Sequence, residues 1–159
     1  VYDVTFYFAH HFLEKGDRTI DQMVQAARSG KQNIAEGAAA GNTSKETEIK
    51  LTNVAKASLQ ELLVDYEDFL RVRWLKQWQP DDARLAQTKR ACAAHNDSEY
   101  YRKAMPERSA ETIANIAITL IHQTDWLLNK LIEKLEIQFV ENGGVKEQMT
   151  KARKEYRGY

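Results

Sequence analysis

Carboxylate pairs, a cysteine–histidine pair and the polar segment Gln32–Gly37 (QNIAEG) are the groups in this chain whose types and spacing could do chemistry. Glu133-x-x-Glu136, and Glu61 with Asp65 at i,i+4, each place two carboxylates on one helical face. All-helical nucleotide pyrophosphatases hold magnesium with such pairs on facing helices, but their dense double-Glu motif is missing. Lys130 and Lys134 beside Glu133 and Glu136 make an ion-paired, solvated face the plainer reading. A di-iron centre in a bundle needs Glu-x-x-His. The residues three before His10, His11, His95 and His122 are Tyr7, Phe8, Cys92 and Thr119, so no histidine fits it. Cys92-x-x-His95 has a spacing used for zinc, yet two ligands fall short of the four of a structural site. Phosphate-binding loops (GxxxxGK[ST], GxGxxG) and a nucleophile elbow are missing from the sequence. The expectation is a chain without catalytic residues, metal or cofactor.

Two polar groupings point to binding instead. Asn33, Glu36 and Glu61 read as a polar cluster between two helices, since polar groups near a core need partners. Such a cluster either binds something or fixes the register of one helix on the other. The tail 145–159 carries Lys146, Lys151, Arg153, Lys154 and Arg157 against Glu147 and Glu155, a net charge of +3, with Tyr156 and Tyr159 interleaved. Cations with aromatic residues among them are used to hold single-stranded nucleic acid. The competing account is an ordinary exposed helix or frayed terminus. Trp74 and Trp78 among Arg71, Arg73 and Lys76 pose the same choice, and packing at a helix end is preferred for them.

The elements that must carry these groups are helices. Seven Gly and two Pro in 159 residues are few, and no alternating β-branched run occurs. The expected helices run from about Tyr2 to Lys15; from a Thr19-x-x-Gln22 capping box to Gly41-Asn42; and from a Thr43-x-x-Glu46 capping box to about Trp78. Gly30 lets the second approach a neighbour closely. The third, with Leu51, Val54, Ala55, Leu59, Leu62, Leu63, Tyr66, Phe69 and Leu70 along one stripe, would be a rod of about 50 Å. Residues 81–106 form a more polar insertion, with short helices at Asp81–Ala94 and after Asp97 or Ser98. The last long helix runs from Ser109 to about Val140 and ends at Gly143-Gly144.

That last helix carries two apolar rows. Ile113, Ile116, Ala117, Leu120, Thr124, Leu127, Leu131 and Leu135 form one, and Ile118, Ile121, Leu128, Ile132 and Phe139 lie beside it. Two rows exceed what a bundle seam requires, so the second is expected to be an oligomer interface. The expected fold is all-α: an antiparallel up-down-up-down four-helix bundle over 1–141, with 81–106 inserted between the third and fourth long helices and 142–159 as a basic extension.

Charges balance at 23 against 23, so no global field recruits nucleic acid. The single cysteine, Cys92, fits a reducing cytoplasm, and no apolar run is long enough to span a membrane.

Three motifs in order, Ser29-x-x-x-Asn33-Ile34-Ala35-Glu36-Gly37, Ser44-Lys45-Glu46 and Val54-Ala55-Lys56-Ala57-Ser58-Leu59-x-Glu61-Leu62, resemble a bacterial four-helix-bundle family. Its members include proteins encoded in intervening sequences of 23S ribosomal RNA genes and the accessory variability proteins of diversity-generating retroelements. The end, Gly143-Gly144-Val145-x-Glu147-x-Met149-x-x-Ala152-Arg153, is similar to the extension of the subgroup with a four-helix-bundle suffix. The resemblance implies an up-down bundle in a ring-shaped homopentamer that binds nucleic acid or a protein partner. The retroelement members are typically strongly basic, whereas this chain is neutral.

The expected function is thus a non-enzymatic, oligomeric assembly and binding module in the cytoplasm. It would hold RNA or DNA weakly through Lys151, Arg153, Lys154, Tyr156 and Arg157. A scaffold for a protein partner without nucleic acid is the alternative, and a metal-dependent enzyme in the bundle is a second.

Overall fold

The computed structural model describes residues 1–158 and is helical throughout its ordered elements. In chain order these are α1 (Tyr2–Phe12), α2 (Arg18–Ala40), α3 (Lys45–Val72), α4 (Ala83–Ala94), α5 (Ser98–Ala104), a 3-10 turn (Met105–Glu107), α6 (Ala110–Asn142) and α7 (Val145–Arg157). Among the described residues there is no strand, and no helix is long and apolar enough to cross a membrane.

Side-chain caps set most helix starts, one or two residues from where the capping boxes place them. Asp17, not Thr19, caps α2 by accepting from the Thr19 N–H. Ser44, not Thr43, caps α3 by accepting from Thr47. Asp82, Asp97 and Ser109 do the same for α4, α5 and α6. A short carboxylate or hydroxyl placed there satisfies an amide that has no partner inside the helix.

α2 on α3 is the most extensive pairing, followed by α3 on α6. The two helices of the first pair run in opposite directions: Ser29 Oγ lies 2.9 Å from Ser58 Oγ, while Gly37, eight residues on, meets Leu51 and Thr52. Gly30 is what lets them approach. A methyl group there would lie 3.0 Å from Leu59 Cδ2. α3 and α6 also run oppositely, with the Lys56 ammonium donating to Asn129 near one end and Asn115 near the other. α1 covers the assembly from the side: Phe8 packs on Tyr66 and Phe69 of α3, and the Tyr66 hydroxyl donates to Thr5 Oγ1 at 3.0 Å. Phe8, Met23, Leu62, Tyr66, Ile113 and Ile121 are fully enclosed at the centre.

Two expectations about the long helices change. α3 stops at Val72, and Trp74 follows in the left-handed region at φ +57°. Leu75 N–H bonds back to the Leu70 carbonyl, which closes the helix end and turns the chain toward α6. Val54, placed in the core stripe from its spacing, lies on the exposed face.

The Trp74 conformation costs an L-residue about 1–2 kcal/mol, and its indole is 95% exposed, so packing returns nothing within the chain. Trp74→Gly is expected to stabilise the isolated chain by about 0.5–1 kcal/mol after the extra unfolded-state entropy of glycine is counted. The check is thermal unfolding. An unchanged or lower Tm would mean the left-handed turn is not the source of strain.

Candidate interaction surfaces

Asn33, Glu36 and Glu61 do not form one cluster. Glu36 and Glu61 are both exposed. The antiparallel register sets Glu61 and Asp65 against the first half of α2, beside Asp21, Gln22 and Gln25, well away from Asn33. The polar link between the helices is built from smaller groups. Asn33 Nδ2 donates to the Ser29 carbonyl at 2.9 Å and to Ser29 Oγ at 3.2 Å, and Ser29 Oγ pairs with Ser58 Oγ. A helical spacing shows which residues share a face but not how one helix slides along the next, so it does not give Asn33 its partner on α3.

The expected interface row on α6 is largely core. Ile118, Ile121 and Leu128 are buried within the chain, and Ile132 and Phe139 are half-buried. They cannot offer an open surface to another copy. The apolar groups that α6 exposes are Trp126, Leu127, Ile137 and Val140. Trp126, Ile137 and Val140 share the side of the helix facing away from Leu128 and Leu135, where Lys130 and Glu133 form an ion pair among them. Of the first row, Leu127 faces solvent while Ile113, Ile116, Ala117 and Leu135 are buried.

The tail is a helix, α7, and every one of its residues is exposed. Val145, Met149, Ala152 and Tyr156 recur at i, i+4, i+7 and i+11 and make a narrow apolar stripe. Lys146, Arg153 and Arg157 run along one flank of that stripe, and Lys151 and Lys154 lie behind it. Among the described residues, none of these five cations is in an ion pair. Tyr159 lies outside the described residues.

The groups with possible metal or catalytic spacing are separated in space or occupied. Burial pushes the Cys92 thiol up, and the His95 ring stacks on Tyr100 with centroids 3.7 Å apart. His10 and His11 each place Nδ1 on a carbonyl of the preceding turn, of Phe6 and Tyr7 respectively. Among the described residues no three His, Cys, Asp or Glu side chains gather as a metal site would require.

Two residues matter more than their sequence signal. Asn115, buried on α6, accepts from the Trp78 N–H at 2.8 Å and donates to the Lys76 and Glu111 carbonyls. It holds the segment between α3 and α4 onto the bundle. Nothing but a polar residue interrupting an apolar run marked it. Trp78 is buried, as packing at the helix end required, with the Arg84 guanidinium over its ring. Arg84 also grips Asp82 through two nitrogens, and with Lys76 beside it holds that carboxyl well below the usual range. Trp74, by contrast, is a bare indole at the surface.

A cavity of about 290 Å³ opens between α4, α5 and α6, lined by Trp78, Arg84, Cys92, Tyr100, Arg108 and Thr112 among others. Arg84 is already committed to Asp82 and Glu111, whereas Arg108, which also lines the cavity, forms no ion pair among the described residues. Comparison of the chain with family models, with curated proteins and with solved structures finds no match.

Proposed function

We propose that this chain is a non-enzymatic assembly and binding module, an up-down-up-down bundle of α1, α2, α3 and α6 that self-associates and engages RNA or DNA through α7. The observation that carries this reading is α7 itself: a helix with an apolar stripe and five cations that form no ion pair among the described residues, every residue of it exposed. A helix this exposed gains little from its own chain, because most helix stability in proteins comes from packing an amphipathic face. The family resemblance of the three motifs in residues 29–62 supports the bundle topology and a closed ring, with five copies as the expected number. In a neutral chain, affinity for a phosphate backbone must come from local charge, and a ring would bring several basic helices to one polyanion.

The test is a salt titration of RNA and DNA binding with the intact chain and with a chain ending at Gly144. Each phosphate contact contributes a slope of about 0.7–0.9 in log affinity against log salt, so loss of α7 should flatten the dependence by several such steps. Equal affinity and slope for the two chains would remove α7 as the nucleic-acid surface. The apolar stripe favours a second reading, a scaffold for a protein partner, and that reading stands if neither chain binds nucleic acid at low salt.

A further inference from the structure

We infer that the apolar stripe of α7 docks on the outer face of α3 in a second copy of this chain, forming a head-to-tail contact. The inference rests on the assembly reading above and names the surfaces that make it.

The receptor is the side of α3 turned away from α6 and bordering the first half of α2, where Glu61 and Asp65 share a groove with Asp21 and Gln25. Val54, Val64 and Val72 stand there in the open, 42%, 53% and 56% exposed. Glu61, Asp65 and Asp68 lie among them on the same side, at i, i+4 and i+7. Glu61 and Asp65 form no ion pair among the described residues, whereas Asp68 pairs with Arg71. Burial, with Asp68 and Glu61 nearby, raises the Asp65 carboxyl. Three carboxylates among valines are a surface that a cationic, apolar partner would relieve on both counts.

α7 has that pattern in reverse sign. Its stripe of Val145, Met149, Ala152 and Tyr156 is flanked by Lys146, Arg153 and Arg157. Valines would meet the stripe while the flanking cations meet Glu61, Asp65 and Asp68. Charge complementarity of this kind selects the partner and its register, and burial of the stripe supplies affinity. Lys151 and Lys154 would remain on the outer side, available to a polyanion.

The geometry places the two surfaces on different copies. α6 runs opposite to α3, so its last residues lie at the first residues of α3, and α7 starts there after only Gly143-Gly144. Thirteen residues of helix span about 20 Å, and Arg153 sits about 12 Å along it. Glu61 lies sixteen residues into α3, about 24 Å from its start. α7 stays exposed along its whole length, and among the described residues none of its cations pairs with a carboxylate of its own α3, which leaves that acidic face to a second copy. A contact between two different patches repeats from copy to copy and closes into a ring when the rotation allows.

The experiment measures mass by light scattering and the association constant by sedimentation, on the full chain. Arg153→Glu with Arg157→Glu, and separately Glu61→Arg with Asp65→Arg, should each weaken self-association by ~10-fold or more. All four together in one chain should restore it. These positions are at the surface, and unchanged circular dichroism confirms that each variant folds. If the native chain is a monomer at micromolar concentration, the assembly reading itself falls. If the native chain is oligomeric and the reversals, or truncation at Gly144, leave its mass unchanged, assembly stands and this contact is overturned. Reversals in α7 that abolish RNA binding but not the mass would overturn it likewise. So would an intramolecular cross-link between positions 153 and 61 in a monomer.

Discussion

Replacing Asn115 with alanine should destabilise the chain by about 2–4 kcal/mol, a far larger effect than an exposed Asn→Ala on the same helix. Its carboxamide satisfies three backbone groups at once: the Trp78 N–H, the Lys76 carbonyl and the Glu111 carbonyl. The Glu111 carbonyl keeps its helical partner, so two groups are orphaned by the change. A buried donor or acceptor left without a partner costs about 1–3 kcal/mol. For a chain of this size that corresponds to a fall in Tm of roughly 4–16 °C. The loss should be local first. Residues 73–82 hang on this one side chain, on the ion pairs of Asp82 with Lys76 and Arg84, and on the Lys76 N–H bonded to Glu111. Trp78, buried in the native chain, should become accessible to a fluorescence quencher well below the unfolding transition. Asn115→Asp should be worse than alanine, because it keeps the acceptor but places a charge where the amide donated. A Tm within a degree of the native value would show that the segment is held by its other contacts alone.

How much of this was legible in the sequence depends on which physical signal wrote each part. The helices were visible because Leu59, Leu62, Tyr66, Phe69 and Leu70 keep a 3.6-residue period and because Ser109 and Gly143 punctuate α6. The end of α3 was not visible. Leu75 and Trp78 continue an apolar period, and only the left-handed turn at Trp74 breaks it, a turn that an aromatic residue does not advertise. Burial on α6 differs from the expectation for a related reason. Both rows are apolar, and which one faces α3 is set by the rotation of the helix, which the period does not contain. The same missing coordinate, the slide of one helix along another, separated Glu61 from Asn33. The tail was legible in composition but not in form: five cations show a basic end, while the Val145–Tyr156 stripe has meaning only once the segment is helical.

The second large effect concerns alkaline pH and a tyrosine at the centre of the molecule. Tyr66 is fully enclosed, and its hydroxyl donates to Thr5 Oγ1, joining α1 to α3. Burial holds its phenol well above the ordinary range, the Thr5 bond opposing that rise and Asp65 adding to it. The unfolded chain releases this proton near pH 10, whereas the folded chain keeps it. Above pH 10 the native state therefore binds more protons than the unfolded state, and stability must fall as pH rises. The slope approaches about 1.4 kcal/mol per pH unit for this one group. Below pH 10 both states hold the proton, and the full contribution is present. Tyr66→Phe removes the titration and the hydrogen bond together. At pH 7 it should cost about 1 kcal/mol, since the Thr5 hydroxyl loses its donor. As pH climbs, the native chain loses stability that the variant keeps, so the two should cross between about pH 10.5 and 11.5 and then change order. Tyr101, whose phenol burial also raises, is present in both chains and cancels in the comparison. Urea unfolding midpoints of both chains from pH 7 to 12 make the measurement. A difference that stays constant across that range would mean that the Tyr66 hydroxyl reaches water in the folded chain, and the enclosed contact between α1 and α3 would have to be redrawn.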